Sequence, residues 1–289
     1  MSCTVWTETN PITNSHRDAL VKTLHGYGRV AVAFSGGVDS TVVAQAAYEA
    51  LKDAAVAVTA VSQSLATGEL EEAQALAQRI GITHRIIHTR EFADPNYLRN
   101  QPDRCYFCKN ELYGQLEGML EELGVDVIVS GANTDDSGDY RPGLRAASEH
   151  RVRHPLQECR LSKADVRTLA RAWGLPTWDK PATPCLSSRV AYGEEITPEK
   201  LRMVDQAEQW LRQRGLHILR VRYHKGDLAR IEVPVDDLRR FAEPEFRDNL
   251  ANAFRALGFK FITLDLEGFR SGSLNSVIPV QNLRAGTSR

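Results

Sequence analysis

One stretch near the N-terminus decides the fold: Val30-Ala31-Val32-Ala33-Phe34-Ser35-Gly36-Gly37-Val38-Asp39-Ser40. Its first five residues are apolar without a break, which is typical of a strand buried on both faces. Two glycines follow, and an alanine- and valine-rich segment with helical spacing comes next. The stretch therefore predicts a strand, a tight loop and a helix, with the N–H groups of the helix start facing an anion.

The rest of the first half repeats this alternation of strand and helix. Further apolar strands are predicted at 55–61, 85–88 and 125–129, between amphipathic helices at about 71–80 and 109–123. Such an order indicates an α/β fold, a doubly wound parallel sheet covered by helices on both faces. Another helix opens with Ser162 and Asp165, spaced as in a capping box, and Gly174 ends it.

The second half of the chain has a different character. Residues 176–198 carry four prolines and no clear period, which predicts a functional loop. Helices at 198–214 and 235–257 and strands at 218–223, 228–233 and 260–266 then predict a smaller α+β unit. We therefore expect a first domain at 1–175, a cysteine-bearing loop at 176–198 and a second, smaller domain at 199–289.

Composition excludes several classes of protein. The chain has 289 residues, 25% of them charged, and a formal net charge of -1, so it lacks the basic excess expected of a nucleic-acid partner. No apolar run approaches the ~20 residues that span a bilayer. The first residues lack the pattern of a signal peptide. These features predict a cytoplasmic protein that does not interact with nucleic acid or a membrane.

The loop at 35–40 has neither the Gly-Lys-Ser/Thr of a Walker A loop nor a Gly-x-Gly-x-x-Gly fingerprint. It resembles the PP-loop of the ATP pyrophosphatases, and this resemblance implies that ATP is cleaved between its α and β phosphates. The candidate nucleotide ligands are Ser35, Gly36, Gly37, Asp39, Ser40 and, beside the adenine, Ser62. Asp39 and the pair Asp135 and Asp136 are the candidate Mg²⁺ ligands, and a solvated turn is the alternative explanation for the pair.

Five cysteines, at positions 3, 105, 108, 159 and 185, have no need to form disulfides in a chain of this size. Cys105 and Cys108 form a C-x-x-C motif, which suits zinc, redox or iron–sulfur chemistry. With Cys185 they would hold a [4Fe–4S] cluster with one open iron, available for sulfide. Alternatively Cys185 acts alone, with Lys180 and Arg189 favouring its thiolate. Cys159 is an incidental residue or a fourth ligand, and Cys3 has no expected role.

Six stretches in order resemble the LarE family, the ATP-dependent sulfur transferases that build the nickel-pincer cofactor of lactate racemase. They are residues 34–40, 104–109, 139–143, 180–193, 220–224 and 268–273. The resemblance implies that ATP adenylates a carboxylate of pyridinium-3,5-biscarboxylic acid mononucleotide, and that sulfur replaces AMP to give a thiocarboxylate. It also implies that the domain at 199–289 binds substrate and forms a homo-oligomer, and that the sulfur donor is sulfide or a cysteine desulfurase.

The resemblance leaves two routes for the sulfur. Members with a single cysteine at the Cys185 position give up their own sulfur and keep a dehydroalanine. The additional Cys105 and Cys108 favour the cluster-bearing form, in which the protein turns over repeatedly.

Two arginines alternate along a predicted strand and therefore project to one face, Arg220 and Arg222. Two guanidiniums suit bidentate binding of a substrate phosphate or carboxylate. A solvated basic face is the alternative, and the family resemblance favours function. Ser188 is a further candidate for substrate binding. Arg189 and Glu208 are further candidates for catalysis, together with Cys185 and Asp39.

Three other functions compete with this interpretation. A PP-loop tRNA thiolase also joins adenylation to sulfur transfer, but it should carry a basic surface and an RNA-binding module. An ammonia-using synthetase that makes NAD or GMP would leave three cysteines idle and has no glutaminase half here. A nucleotide-sensing protein would bind ATP without releasing pyrophosphate.

Overall fold

The computed structural model describes residues 11–138, 142–270 and 273–274. The chain forms two compact units. The first contains the residues up to Ser62, Gly68–Arg90 and Cys108–Thr183, and the second contains Gln63–Thr67, Glu91–Phe107 and the residues from Pro184 onward. Two short segments of the N-terminal half thus belong to the second unit. The domain boundaries expected from the sequence stay a prediction.

A four-stranded parallel sheet forms the centre of the first unit. Its strands are β1 (Val30–Ala33), β2 (Ala55–Val61), β3 (Thr83–His88) and β4 (Val127–Val129), in the order β3-β2-β1-β4. Each strand lies within or close to its predicted range, and the predicted α/β class is confirmed. The chain leaves β1 toward β2 on one side, whereas β4 lies on the other side. Parallel sheets bind ligands at such a reversal of strand order, outside the carboxyl ends of the strands.

The helices follow the strands as predicted, with three differences. The helices are α1 (Pro11–His25), α2 (Val38–Leu51), α3 (Glu69–Ile80), α4 (Pro95–Leu98), α5 (Arg104–Gly118), α6 (Leu120–Leu123), α7 (Pro142–Glu149), α8 (Pro155–Glu158), α9 (Lys163–Ala172), α10 (Pro198–Arg212) and α11 (Pro244–Leu257). Helices α1, α4, α7 and α8 were not predicted. The helix expected at 109–123 begins earlier and is interrupted at Met119. The helix expected at 235–257 is a 3₁₀ segment followed by α11, because Pro244 can only start a helix.

Helix α2 is the central element of the core in the first unit. Val42, Val43, Ala46 and Ala47 are fully buried, and these small residues let α1 and α9 approach closely. The predicted capping box of α9 is confirmed: the Ser162 hydroxyl accepts from the Asp165 N–H at 3.3 Å, and the Asp165 carboxylate accepts from the Ser162 N–H at 2.9 Å. These contacts fix the first turn of α9, which lies at the candidate phosphate site.

The second unit contains a three-stranded sheet. Strand β5 (Arg220–His224) pairs antiparallel with β6 (Leu228–Glu232), which pairs parallel with β7 (Phe261–Leu264). Helices α10 and α11 also belong to this unit, and a bridge from Val190 to Tyr223 adds a short segment beside β5. The smaller α+β unit expected from the sequence is therefore present. Among the described residues, no helix has both the length and the apolar character needed to cross a bilayer.

Candidate functional site

The phosphate loop connects β1 to α2 in the first unit. Gly36 has a φ of +70°, a conformation that favours glycine, and Gly37 is the N-cap of α2. The hydroxyls of Ser35 and Ser40 lie 3.1 Å apart, and the Ser40 hydroxyl accepts from the Ser35 N–H at 3.2 Å. These contacts give the loop a fixed shape. The first N–H groups of α2 and both hydroxyls can therefore hydrogen-bond to the same anion.

A second loop lies directly against the start of α2. A Cβ atom on Gly131 would come within 2.7 Å of the Ser40 nitrogen and 2.9 Å of the Asp39 carbonyl carbon. Only glycine therefore fits at this position without a shift of the backbone. Because Gly131 follows β4 and the phosphate loop follows β1, two loops meet at the reversal of strand order. Ser62 follows the last residue of β2, at the same edge of the sheet.

Two of the predicted Mg²⁺ ligands, Asp39 and Asp135, both contact Lys163. Asp39 accepts from the Asn133 amide at 3.0 Å and pairs with the Lys163 ammonium at 2.5 Å. Asp135 accepts from the backbone N–H of Lys163 at 3.2 Å. The carboxylate of Asp136 accepts from the Asn133 N–H at 3.0 Å. Lys163 therefore contacts both carboxylates, that of Asp39 through its ammonium and that of Asp135 through its backbone N–H. Carboxylate oxygens beside a phosphate loop are the ligand type that Mg²⁺ prefers.

Lys163 is a residue of this site that the sequence analysis missed. It occupies the first position of α9, where the helix dipole disfavours a cation. Its side chain is one-third exposed and reaches Asp39, 124 residues away in the chain. A lysine directly after an N-cap serine was the available signal. Without the fold, however, nothing connects that signal to the phosphate loop.

Cys185 is exposed on a segment of the second unit whose backbone is firmly held. Its carbonyl accepts from the Ser188 N–H at 3.0 Å, the Ser188 hydroxyl at 2.7 Å and the Arg189 guanidinium at 3.1 Å. The Leu186 N–H donates to the Ser64 carbonyl at 2.8 Å. The thiol is therefore presented to solvent from a backbone with little freedom, as a reactive group requires.

Arg189 and Glu208 form a buried ion pair beneath this segment. Both side chains are fully buried, and Arg189 donates to the two carboxylate oxygens of Glu208 at 3.1 and 3.3 Å. Arg212 and the Val221 N–H also donate to Glu208, at 2.7 and 3.1 Å. Burial raises the pKa of Glu208, whereas the charge of Arg189 and these hydrogen bonds lower it by a larger amount. The net shift of the pKa is therefore downward. The contacts of both residues are with protein groups.

Arg220 and Arg222 come together as predicted on β5, and both are largely buried. Arg222 donates to Glu232 at 2.9 Å and to the Ser188 carbonyl at 3.0 Å. Arg220 donates to the Leu219 carbonyl at 2.7 Å.

Burial, with repulsion from Arg189 and Arg222, lowers the pKa of Arg220 to about 10. A bound anion would therefore stabilise the charged Arg220 guanidinium.

The structure does not support the predicted iron–sulfur cluster. Cys105 and Cys108 are one turn apart on α5, the first exposed and the second partly exposed. Within the described ranges, no three His, Cys, Asp or Glu side chains are grouped to hold a metal ion. Cys159 contacts the Thr23 hydroxyl at 3.3 Å, and burial raises its pKa. Cys3 and residues 139–141 and 271–272 lie outside the described ranges.

Comparisons with known proteins agree with this geometry. Residues 12–100 match the NAD synthase family. The chain is 38% identical over 260 residues to the pyridinium-3,5-bisthiocarboxylic acid mononucleotide synthase of Lactiplantibacillus plantarum, covering 90% of this chain and 93% of that protein. It is 51% identical over 250 residues, covering 86% and 93%, to the uncharacterized protein slr1717 of Synechocystis. A tRNA-specific 2-thiouridylase of Azorhizobium caulinodans is 32% identical, over 53% of this chain and 49% of its own length.

Proposed function

Because the chain belongs to the LarE family of ATP-dependent sulfur transferases, we propose that its substrate is pyridinium-3,5-biscarboxylic acid mononucleotide. ATP adenylates a carboxylate of this substrate, and sulfur then replaces AMP to give a thiocarboxylate. The observation that carries the proposal is the complete phosphate loop with Asp39, Asn133 and Lys163 joined beside it. The cytoplasmic location of the protein and its assembly into a homo-oligomer stay predictions.

The first step joins the substrate to AMP. An oxygen of the substrate carboxylate attacks the α-phosphorus, and the bond to the β-phosphate oxygen breaks to release pyrophosphate. The N–H groups of the loop and the hydroxyls of Ser35 and Ser40 hold the leaving pyrophosphate. Asp39 and Asp135 would hold Mg²⁺, which neutralises charge on the phosphate oxygens. Lys163 supplies a further positive charge to the same oxygens when ATP occupies the site.

Arg220, Arg222 and Ser188 bind an anionic group of the substrate in this proposal. The support is electrostatic: burial and neighbouring guanidiniums lower the pKa of Arg220, so an added phosphate or carboxylate relieves repulsion there. Arg222 and Ser188 are already joined by a hydrogen bond at 3.0 Å. Arg189 and Glu208, proposed for catalysis from the sequence, act in this account by holding the Cys185 segment.

The second step delivers sulfur through Cys185. Its thiolate attacks the activated carbon, AMP leaves with the carboxylate oxygen, and a thioester forms. Removal of the Cα proton of Cys185 then breaks its Cβ–S bond, which leaves dehydroalanine in the chain and the thiocarboxylate on the substrate. Because the described residues do not form a three-cysteine site, no step is assigned to a cluster. A relay that uses Cys105 and Cys108 and an external sulfide or desulfurase donor is the alternative.

Adenylation is tested by measuring AMP and pyrophosphate from ATP with and without the mononucleotide. We expect both products only when the substrate is present, and a loss of at least about a hundredfold in Asp39→Ala. Asp18→Ala, an exposed change on α1, is the matched control. ATP binding without pyrophosphate release in the wild type would instead indicate a nucleotide-sensing protein.

The sulfur source is tested by the mass of the protein after one turnover. Our account predicts that Cys185 loses the elements of hydrogen sulfide and that the other cysteines keep their mass. An unchanged protein that nevertheless yields thiocarboxylate would favour the relay. A product formed on tRNA would favour the thiolase function, for which the related protein of Azorhizobium caulinodans matches only 53% of this chain.

A further inference from the structure

Glu232, the last residue of β6, is a fully buried carboxylate in the second unit. One of its oxygens accepts from Nε and Nη2 of Arg222, at 3.1 and 2.9 Å. The other accepts from the Arg230 guanidinium at 3.0 Å and from the Ser273 hydroxyl at 2.6 Å. A buried carboxylate needs such partners. Because both oxygens are held, the Glu232 carboxylate has a fixed orientation.

The pairing of β5 with β6 surrounds this carboxylate with an excess of positive charge. Arg220 lies opposite Glu232, and Arg222 lies opposite Arg230. Directly paired residues and residues two apart on a strand share one face of a sheet, so all four lie on the same face. The two pairs contribute three guanidiniums and one carboxylate, and only Arg230, at 28%, has a substantial exposed fraction. A bound anion would reduce this excess.

The contacts of Arg222 leave one of its donors for such an anion. Besides the two bonds to Glu232, Nη2 donates to the Ser273 hydroxyl at 3.1 Å and Nη1 donates to the Ser188 carbonyl at 3.0 Å. A guanidinium carries five N–H groups, and these contacts within the described ranges use four of them. The remaining N–H belongs to Nη1, the nitrogen that contacts Ser188. Arg222 therefore presents one oriented donor beside another candidate for substrate binding.

We propose that Glu232 is a positioning residue for substrate recognition, which orients the Arg222 guanidinium so that its remaining N–H meets an anionic group of the mononucleotide. The inference rests on the proposed function, in which Arg222 and Ser188 bind a phosphate or carboxylate of this substrate. Glu232 acts through Arg222 and does not itself touch the substrate. An arginine that is already ordered loses less conformational entropy when it binds an anion.

Orientation and charge predict opposite effects when Glu232 is replaced by glutamine. If the carboxylate orients Arg222, E232Q loosens the guanidinium and weakens the binding of the mononucleotide. If the carboxylate only offsets positive charge, E232Q raises the net positive charge and strengthens the binding of an anion. E232D keeps the charge but withdraws the carboxylate by one methylene, so it weakens binding only if orientation matters.

The test is the dissociation constant of pyridinium-3,5-biscarboxylic acid mononucleotide. It is measured by calorimetry in the presence of an ATP analogue whose bond between the α and β phosphates cannot be cleaved. We expect the constant to rise about tenfold in E232Q and in E232D, the effect of about one charge-assisted hydrogen bond. The affinity for the ATP analogue should not change. An unchanged or smaller dissociation constant for the mononucleotide in folded E232Q would overturn the proposal.

A double-mutant cycle shows whether Glu232 acts through Arg222. In a protein that already carries R222Q, the further change E232Q should alter the dissociation constant by less than about twofold, because no guanidinium is left to orient. Equal factors in the two backgrounds would mean that Glu232 has only a structural role, and would overturn the proposal.

Asp227→Asn is the matched control in the same pair of strands. Asp227 lies between β5 and β6, where it accepts from the Tyr223 hydroxyl at 2.6 Å and pairs with Lys260 at 2.7 Å. Its replacement removes a carboxylate that holds these strands but does not contact Arg222. The dissociation constant of the mononucleotide should therefore stay at the wild-type value. A rise equal to that of E232Q would attribute the effect to general loosening of the strands and contradict the proposal.

Ser273→Ala keeps the proposal testable if neither Glu232 variant folds. Ser273 is partly exposed, and its hydroxyl donates to Glu232 and accepts from Arg222, so the change loosens the same contact without removing a buried charge. We expect the dissociation constant to rise about threefold, as for the loss of a neutral hydrogen bond. Wild-type affinity in this variant would then overturn the proposal. Failure of the proposed function is recognised separately, as a wild-type protein that does not bind the mononucleotide.

Discussion

At the scale of single residues, the candidate phosphate site depends on side chains that contact charged groups. Lys163 is the clearest case, because its ammonium and its backbone N–H contact two different carboxylates, those of Asp39 and Asp135. A cation in the first turn of a helix opposes the helix dipole, so its position is better explained by function than by stability. In our account it exchanges part of its contact with Asp39 for contact with phosphate.

Lys163→Ala should therefore weaken the use of ATP. We expect the KM for ATP to rise by about tenfold to a hundredfold, which corresponds to about 1.4–2.8 kcal/mol, the range of a charge-assisted hydrogen bond. The substrate requirement for pyrophosphate release should persist. Lys22→Ala, an exposed change on α1, provides the comparison. An unchanged KM for ATP would remove Lys163 from the phosphate site.

At the scale of elements, the site depends on how closely two loops approach. Gly131 lies against the backbone of Asp39 and Ser40, so the loop after β4 and the start of α2 form one surface. The tight contact is consistent with the hydrogen bonds from the Asn133 amide to Asp39 and from the Lys163 N–H to Asp135. The Asn133 N–H in turn donates to Asp136.

Gly131→Ala should push these two elements apart. A Cβ atom within 2.7 Å of the Ser40 nitrogen forces a backbone shift, and overpacking of this kind costs about 1–3 kcal/mol. We expect a lower unfolding midpoint and a larger loss of ATP affinity. Gly118→Ala meets no atom within 4 Å and, near the end of α5, should be neutral or raise stability by up to about 1 kcal/mol. Equal behaviour of the two variants in thermal unfolding would contradict this account.

The elements also show what the sequence can and cannot predict. Strand β2 and the capping box of α9 follow from local patterns, and both were predicted. The phosphate loop at 35–37 was recognisable because its functional residues are contiguous in the chain. Lys163 was missed because its partner Asp39 is distant in sequence. Helix α1 was missed as well, although its pattern is local.

At the scale of the whole molecule, buried charge makes the second unit sensitive to acid. Glu208 is fully buried and accepts hydrogen bonds from two arginines and one backbone N–H. Although burial raises its pKa, its charged partners produce a net downward shift. Its contribution to stability is therefore complete above the ordinary glutamate pKa of about 4.3 and is lost as the pH falls through the lower folded-state value.

Glu208→Gln should destabilise the protein at neutral pH and reduce its sensitivity to acid. Removing one partner of a buried ion pair costs about 3–5 kcal/mol. Urea unfolding between about pH 7 and about pH 3 should show a smaller decline for the variant than for the wild type. Glu245→Gln, an exposed change on helix α11 of the same unit, should stay close to the wild-type stability. Parallel pH profiles for Glu208→Gln and the wild type would assign the acid sensitivity to other groups.

The central claim is that this molecule uses ATP to replace a carboxylate oxygen by sulfur. The most direct measurement is mass spectrometry of pyridinium-3,5-biscarboxylic acid mononucleotide after incubation with the purified protein, ATP and Mg²⁺. Our account predicts a product in which one oxygen is replaced by one sulfur, formed with AMP and lost in Cys185→Ala. An unmodified mononucleotide, in the presence of a folded protein that binds ATP, would contradict it.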